Sequence, residues 1–201
     1  MNNKKFFYGV VVLMAVLGLG AVYFLIASGE NTTEDVAGVE ASNQITTQPR
    51  SGVALSYTSP FSEQRLTQED IDNGFLHRLT SQNPPIIFTV RQEAGLQIAA
   101  NATGQSILDM VASNLRRAYP DRFPGFEIVT EKNFSIDGRD AKDIVFTYNN
   151  ASGQSVKQRF VIVRKTSDVA IYLSMQSQIA TYDDNNTHYF ERLLASVKIQ
   201  S

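Results

Sequence analysis

Two groups of residues have the types and closeness in sequence that chemistry needs. Asp183, Asp184 and His188 stand together near the C-terminus. Carboxylates and an imidazole within a turn or two of helix could hold a cation. The spacing fits the known patterns poorly. A structural zinc site wants Cys or several His, and this chain has no Cys and only two His. Neither 69–74 nor 183–188 combines the spaced oxygen ligands and the glycine of an EF-hand loop. Acidic residues at a helix start also complement its dipole, so a solvated, N-capped helix start is the plainer reading of Asp183 and Asp184. The other histidine, His77, lies far away in sequence.

The second group is basic. Arg116, Arg117 and Arg122 surround Tyr119, with Phe123 beside them. Such a patch could meet anionic lipid headgroups or an acidic partner. Arginines at a helix C-terminus also satisfy its last carbonyls. From Gly52 on there are 15 basic and 16 acidic residues, a balance that argues against a nucleic-acid partner. Signals of hydrolysis are missing. Gly104-Gln-Ser106 and Gly153-Gln-Ser155 lack the closing glycine of a nucleophile elbow. No phosphate-binding glycine loop occurs either. The expectation is a non-enzymatic domain with no catalytic residues and no cofactor.

These residues sit on elements that the hydrophobic pattern outlines. Residues 53–57 alternate as a short strand, closed by Ser59-Pro60. Thr67 and Asp70 form a capping-box signal, and Ile71, Phe75 and Leu79 continue at helical spacing, which predicts a helix over 67–79. Pro84-Pro85 precedes a strand at 86–90, with further β structure toward Ala99. The stripe Ile107, Leu108, Val111, Leu115 and Ala118 predicts a helix over 103–118, capped by Thr103 or Ser106. Four strands follow as a meander with one buried face, at 126–136, 141–148, 156–164 and 169–176. Asp137-Gly138 marks the first hairpin. Phe190, Leu193, Leu194 and Val197 give a closing helix over 183–197. The fold class is therefore α+β, an antiparallel sheet of five or six strands flanked by helices.

The N-terminus supplies an address. Residues 6–27 carry no charge and are long enough, at about 1.5 Å per residue, to span a bilayer core of about 30 Å. Lys4 and Lys5 precede the run, and Glu30, Glu34, Asp35 and Glu40 follow it. That bias predicts residues 1–5 in the cytoplasm, a transmembrane signal anchor at 6–27, and the bulk of the chain outside the cytoplasm. A cleaved leader, with a small-x-small site at Ala27-Ser28-Gly29, is the alternative and gives the same compartment. The absence of Cys excludes a lipoprotein. Residues 28–52 are small, polar and acidic, and read as a flexible linker to a domain at 53–201.

The order of strand, internal helix, four-strand meander and closing helix resembles the PsbP-like superfamily, which includes the DcrB-like periplasmic proteins. The resemblance rests on 106–119, Asp137-Gly138 with Ala141, the strand 158–163, and Phe190 through Ser196 and Val197. It implies a small accessory or binding domain, and it carries over no functional residue. The resulting expectation is a membrane-tethered extracytoplasmic domain that acts through contacts with an envelope protein. The alternative is a receptor domain for a small ligand or a metal.

Overall fold

The structure, a computed structural model, describes residues 44–200. The apolar run at 6–27 and the greater part of the acidic segment after it lie outside the described residues. Among the described residues, no helix is long and apolar enough to cross a membrane.

The described residues begin with three two-residue strands, β1 (Ile45–Thr46), β2 (Val53–Ala54) and β3 (Ser56–Tyr57). Strand β4 (Ser62–Glu63), helix α1 (Gln68–Asp72) and strands β5 (Phe75–Ser81) and β6 (Ile86–Glu93) follow. Helices α2 (Leu96–Thr103) and α3 (Ile107–Ala118) lead into the meander β7 (Glu127–Ile136), β8 (Arg139–Asn149), β9 (Ser155–Arg164) and β10 (Ala170–Gln178). A 3-10 turn (Ile179–Thr181) opens an irregular C-terminal helix. That helix consists of α4 (Tyr182–Asn185), a π turn (Asn186–Phe190) and α5 (Glu191–Ser196), and strand β11 (Lys198–Ile199) ends the described chain.

Strands β4 to β10 form one antiparallel sheet of seven, in the order β4-β5-β6-β10-β9-β8-β7. Both of its faces are covered. Ile107, Val111 and Leu115 of α3 pack on Ile144, Phe146, Phe160 and Tyr172. The C-terminal helix places Phe190, Leu193 and Leu194 on the other face, against Leu79, Phe88, Val161 and Leu173. Val53 and Leu55 join this second core. Each fully buried Leu, Ile or Phe contributes about 1.5–3 kcal/mol. Strands β8 to β10 of the meander therefore have two buried faces, not the single one their sequence suggests, whereas β7 buries only Ile136. Tyr172 and Leu173, neighbours on β10, are both buried, one in each core.

Three local differences have physical causes. The helix expected over 67–79 stops at Asp72, and 75–81 is a strand. Thr67 does cap α1 with Asp70 as a capping box. Gly74 then takes φ +81° and lies so close to β6 that a Cβ there would be 2.3 Å from the Gln92 carbonyl oxygen. Only glycine turns the chain at that distance. Residues 96–99, expected to continue β structure, belong instead to the helix Leu96–Thr103, because a residue far along the chain caps it. The carboxylate of Asp168 accepts hydrogen bonds from the Gly95 and Gln97 amides at 3.1 and 2.9 Å. Finally, the described end of the expected linker is part of the domain. β1 pairs with β3, and Thr47 is 3% exposed. Ordered structure thus starts before Val53.

Candidate interaction groove

Asp143 on β8 follows Ala141 and precedes Val145 in the alternation that faces the C-terminal helix. An inward position with a carboxylate needs a partner, because a buried unpaired charge is costly. Arg159 on β9 supplies it. Its Nε donates to Oδ1 of Asp143 at 3.0 Å and its Nη2 to Oδ2 at 2.8 Å. The two side chains are 1% and 4% exposed. The guanidinium also lies near the Phe134 and Phe190 rings, at 5.8 and 5.3 Å from their centroids. Its remaining donors turn toward the C-terminal helix. Nη1 donates to Oδ1 of Asn186 at 2.9 Å and to Oε1 of Glu191 at 2.5 Å. Burial opposes the charge on Arg159, but the bonds to Asp143 and Glu191 outweigh it and raise the pKa.

The helix reaches this pair through its π turn, which carries Asn186 and runs directly into Glu191. Wide turns of this kind inside helices often mark functional positions. One turn earlier, Tyr182 is 3% exposed, and its hydroxyl is buried with no hydrogen-bond partner among the described residues. Burial, first of all, raises its pKa. Lys157 lies 4.4 Å from the centre of its ring and binds Asp183 at 3.0 Å.

Between the helix and the outer strands these residues line an open groove of about 190 Å³. Asp143, Val145 and Arg159 contribute from the inner strands, Tyr182, Asn186 and Glu191 from the helix, and Thr130 and Lys132 from β7. Lys132 is 60% exposed and lies 3.6 Å from Asp143. β7 is the outermost strand of the sheet, and its pairing shifts register between Ile128 and Thr130. Val129, within that irregularity, is 49% exposed. The groove thus joins fixed charges, an unused hydroxyl and a strand edge. Such a surface can bind a polar segment. Asp143, Arg159 and Asn186 were not singled out by sequence reasoning, although a charge at an inward position of a strand is a readable signal.

The residues singled out from sequence are placed differently. Asp183 belongs to the groove's outer rim through Lys157, with its side chain 87% exposed. Asp184 and His188 are exposed, and His188 Nδ1 donates to the Asp184 carbonyl at 2.9 Å. Among the described residues, no three His, Asp or Glu side chains come together as a metal site. Arg116 pairs with Glu131, and Arg117 donates to Asn114 Oδ1 at 2.9 Å. Arg122 is exposed, but Tyr119 is not part of any surface. It is 3% exposed and its ring packs on Phe123, Phe126 and Phe146 at 4.9–5.5 Å, which corrects the expected patch. His77 is fully buried, between Glu63 Oε1 at 2.9 Å and the Val53 carbonyl at 3.0 Å.

Sheet, helices and groove define an α+β domain with both sheet faces covered and a charged cleft beside one edge. The fold is PsbP-like. Cyanobacterial PsbP (CyanoP) from Synechocystis sp. PCC 6803 superposes with a TM-score of 0.50 at 10% identity, over 83% of this chain and 98% of that one. LpqN of Mycobacterium tuberculosis, described as involved in cell envelope biogenesis, gives 0.53 at 11% identity, over 80% and 87%. The Ran-binding protein Mog1p of Saccharomyces cerevisiae gives 0.51 at 8% identity, over 79% and 96%. No protein family matches the sequence, and no curated protein sequence matches it either.

Proposed function

We propose that this chain is a membrane-tethered accessory domain outside the cytoplasm that binds an envelope protein, without catalysis, through the groove beside β7. The groove itself carries the reading. At about 190 Å³ it is smaller than the roughly 300–1,000 Å³ of small-molecule sites. It is open along a strand edge, which suits one or two side chains of a protein partner better than an enclosed ligand. Its charges are fixed in place by the Asp143–Arg159 pair, so a partner meets a preorganised surface. LpqN is described as involved in cell envelope biogenesis and Mog1p as Ran-binding, so the fold elsewhere serves both the envelope and protein contact. The tether is supported by the uncharged run at 6–27 behind Lys4 and Lys5.

Site-specific photo-crosslinking in intact membranes tests the proposal. A photoreactive residue at Thr130 should capture a distinct envelope protein, and Lys132→Glu should abolish that capture. A residue at Ser113, on the opposite side of the sheet, should capture nothing comparable. Capture that survives Lys132→Glu, or equal capture from Ser113, would contradict the groove as the contact.

A further inference from the structure

We propose that His77 and Glu63 form a proton-held latch, which fastens the N-terminal strands β1 to β3 to the sheet and slackens as pH rises. Both ring nitrogens of His77 face acceptors. Nδ1 lies 2.9 Å from Glu63 Oε1, and Nε2 lies 3.0 Å from the Val53 carbonyl oxygen. A backbone carbonyl only accepts, so the hydrogen of that bond sits on Nε2. A second hydrogen must then lie between Nδ1 and the carboxyl group, on the ring or on Glu63. A neutral ring beside an ionised carboxylate has one hydrogen for the two bonds, and would set a lone pair against an acceptor. The closed latch therefore holds one proton more than that pair. The ring is fully buried, so bulk water does not reach it, while the Glu63 side chain is 23% exposed and opens a path for the proton.

The latch grips a lightly tied segment. β2 pairs with β11 through two residues, Val53 and Ala54. Ser196 Oγ donates to the Ser56 carbonyl at 2.8 Å and accepts from the Ser56 amide at 3.0 Å. Among charged groups, Glu63 reaches the ring from β4, and Arg50, ahead of β2, donates to the neighbouring Leu76 carbonyl at 2.9 Å. The other elements packed here bring apolar groups. β6 sets Val90 opposite His77, β11 sets Ile199 opposite Val53, and the C-terminal helix adds Leu193, Leu194 and Val197 to the adjoining core. Loss of the proton costs one of the two bonds and leaves a buried acceptor unpaired. A proton bound only in the closed form makes the attachment tightest in acid and weakens it as pH rises. β1 to β3 are the first described strands after the run at 6–27, so the latch sets how firmly the domain is held where the chain enters it. Its meaning for a tether rests on the proposed anchor, whereas its proton dependence does not.

The test uses the full chain in neutral detergent, titrated from mildly acidic to alkaline pH. Hydrogen exchange of the 53–57 amides, corrected for the intrinsic pH dependence of exchange, is read together with the ring nitrogen NMR shifts of His77. Protection of 53–57 should fall about tenfold in one transition, the scale of one lost hydrogen bond. The His77 ring shifts should move in the same transition, while the amides of α3 at 107–118 stay protected. In Glu63→Gln the amide group can donate to Nδ1 while Nε2 still donates to Val53, so a neutral ring serves both contacts. That variant should keep the protection and lose its pH dependence. Protection of 53–57 that is flat with pH in the unaltered chain overturns the proposal. So does a transition that the His77 ring does not share, that 107–118 do share, or that persists in Glu63→Gln, and so does a Glu63→Gln chain unprotected at every pH. The measurement contains neither membrane nor partner, so its failure is distinct from a failure of the crosslinking at Thr130.

Discussion

Replacing Arg159 with methionine keeps the long apolar stem but leaves Asp143 without its bidentate partner. The carboxylate is 1% exposed, so water cannot take over. Lys132 is the nearest remaining cation, at 3.6 Å, and its side chain is 60% exposed and therefore screened. Breaking a buried pair by removing one member costs about 3–5 kcal/mol. Domains of ordinary stability have only about 5–15 kcal/mol to lose. With a urea slope of about 2 kcal/mol per molar, the midpoint should fall by about 2 M. The double variant Arg159→Met with Asp143→Leu should recover most of that loss, because a buried ion pair replaced by apolar groups is close to neutral. Urea unfolding followed by far-UV circular dichroism, in neutral detergent, measures all three chains. A single-variant cost below about 1 kcal/mol would refute the reasoning. So would a double variant as unstable as the single one.

Other consequences follow from the same structure. Gly74→Ala should destabilise by more than about 2 kcal/mol, since φ +81° and a carbonyl oxygen at 2.3 Å both oppose a Cβ; thermal unfolding reads this. Tyr182→Phe removes a buried hydroxyl that has no partner among the described residues, so stability should hold or rise by up to about 1 kcal/mol while crosslinking from Thr130 weakens. His77→Ala strips partners from Glu63 and the Val53 carbonyl, and hydrogen exchange over 45–57 should accelerate by about tenfold or more, for a loss of about 1–3 kcal/mol. Burial raises the Glu93 pKa, against the opposing pull of Arg91 and the Tyr172 hydroxyl. A carboxyl with a raised folded pKa favours folding most below its ordinary range and loses that contribution as pH rises through the folded value. Glu93→Gln should therefore stabilise at pH 7, and the gain should shrink as pH falls below the ordinary carboxyl range. Unfolding at the two pH values checks the sign.

Much of the architecture was legible because one physical signal dominated each segment. The α3 stripe and its Ser106 cap, whose side chain accepts from the Asp109 amide, follow helical spacing without competition. The Asp137-Gly138 turn, at φ 49° and 74°, is the hairpin that this pair of residues favours. Signals failed where two periods coincide or where the cause is distant. Ile71, Phe75 and Leu79 fit a helix, but the close approach of β6 at Gly74 decides against it. The start of α2 is capped by Asp168, more than seventy residues away. The groove was hidden for a similar reason. Asp143 and Arg159 are single charges on separate strands, and only register brings them together, through Val145 opposite Arg159. The parity of Ala141, Asp143 and Val145 was the available clue. The π turn left no comparable trace in the sequence.

The chain has no cysteine, so a single introduced thiol reports on one position without background. Val129→Cys lies at the groove edge, at a residue 49% exposed, and Ile98→Cys on α2 serves as the reference at 78%. Both chains should react in intact cells with a membrane-impermeant maleimide. Val129→Cys should react several-fold more slowly than Ile98→Cys there, beyond their ratio in the purified chain, as the proposed cover of the groove by an envelope protein requires. A groove thiol that reacts as fast in cells as after purification, or thiols that react only once the membrane is opened, would contradict the account.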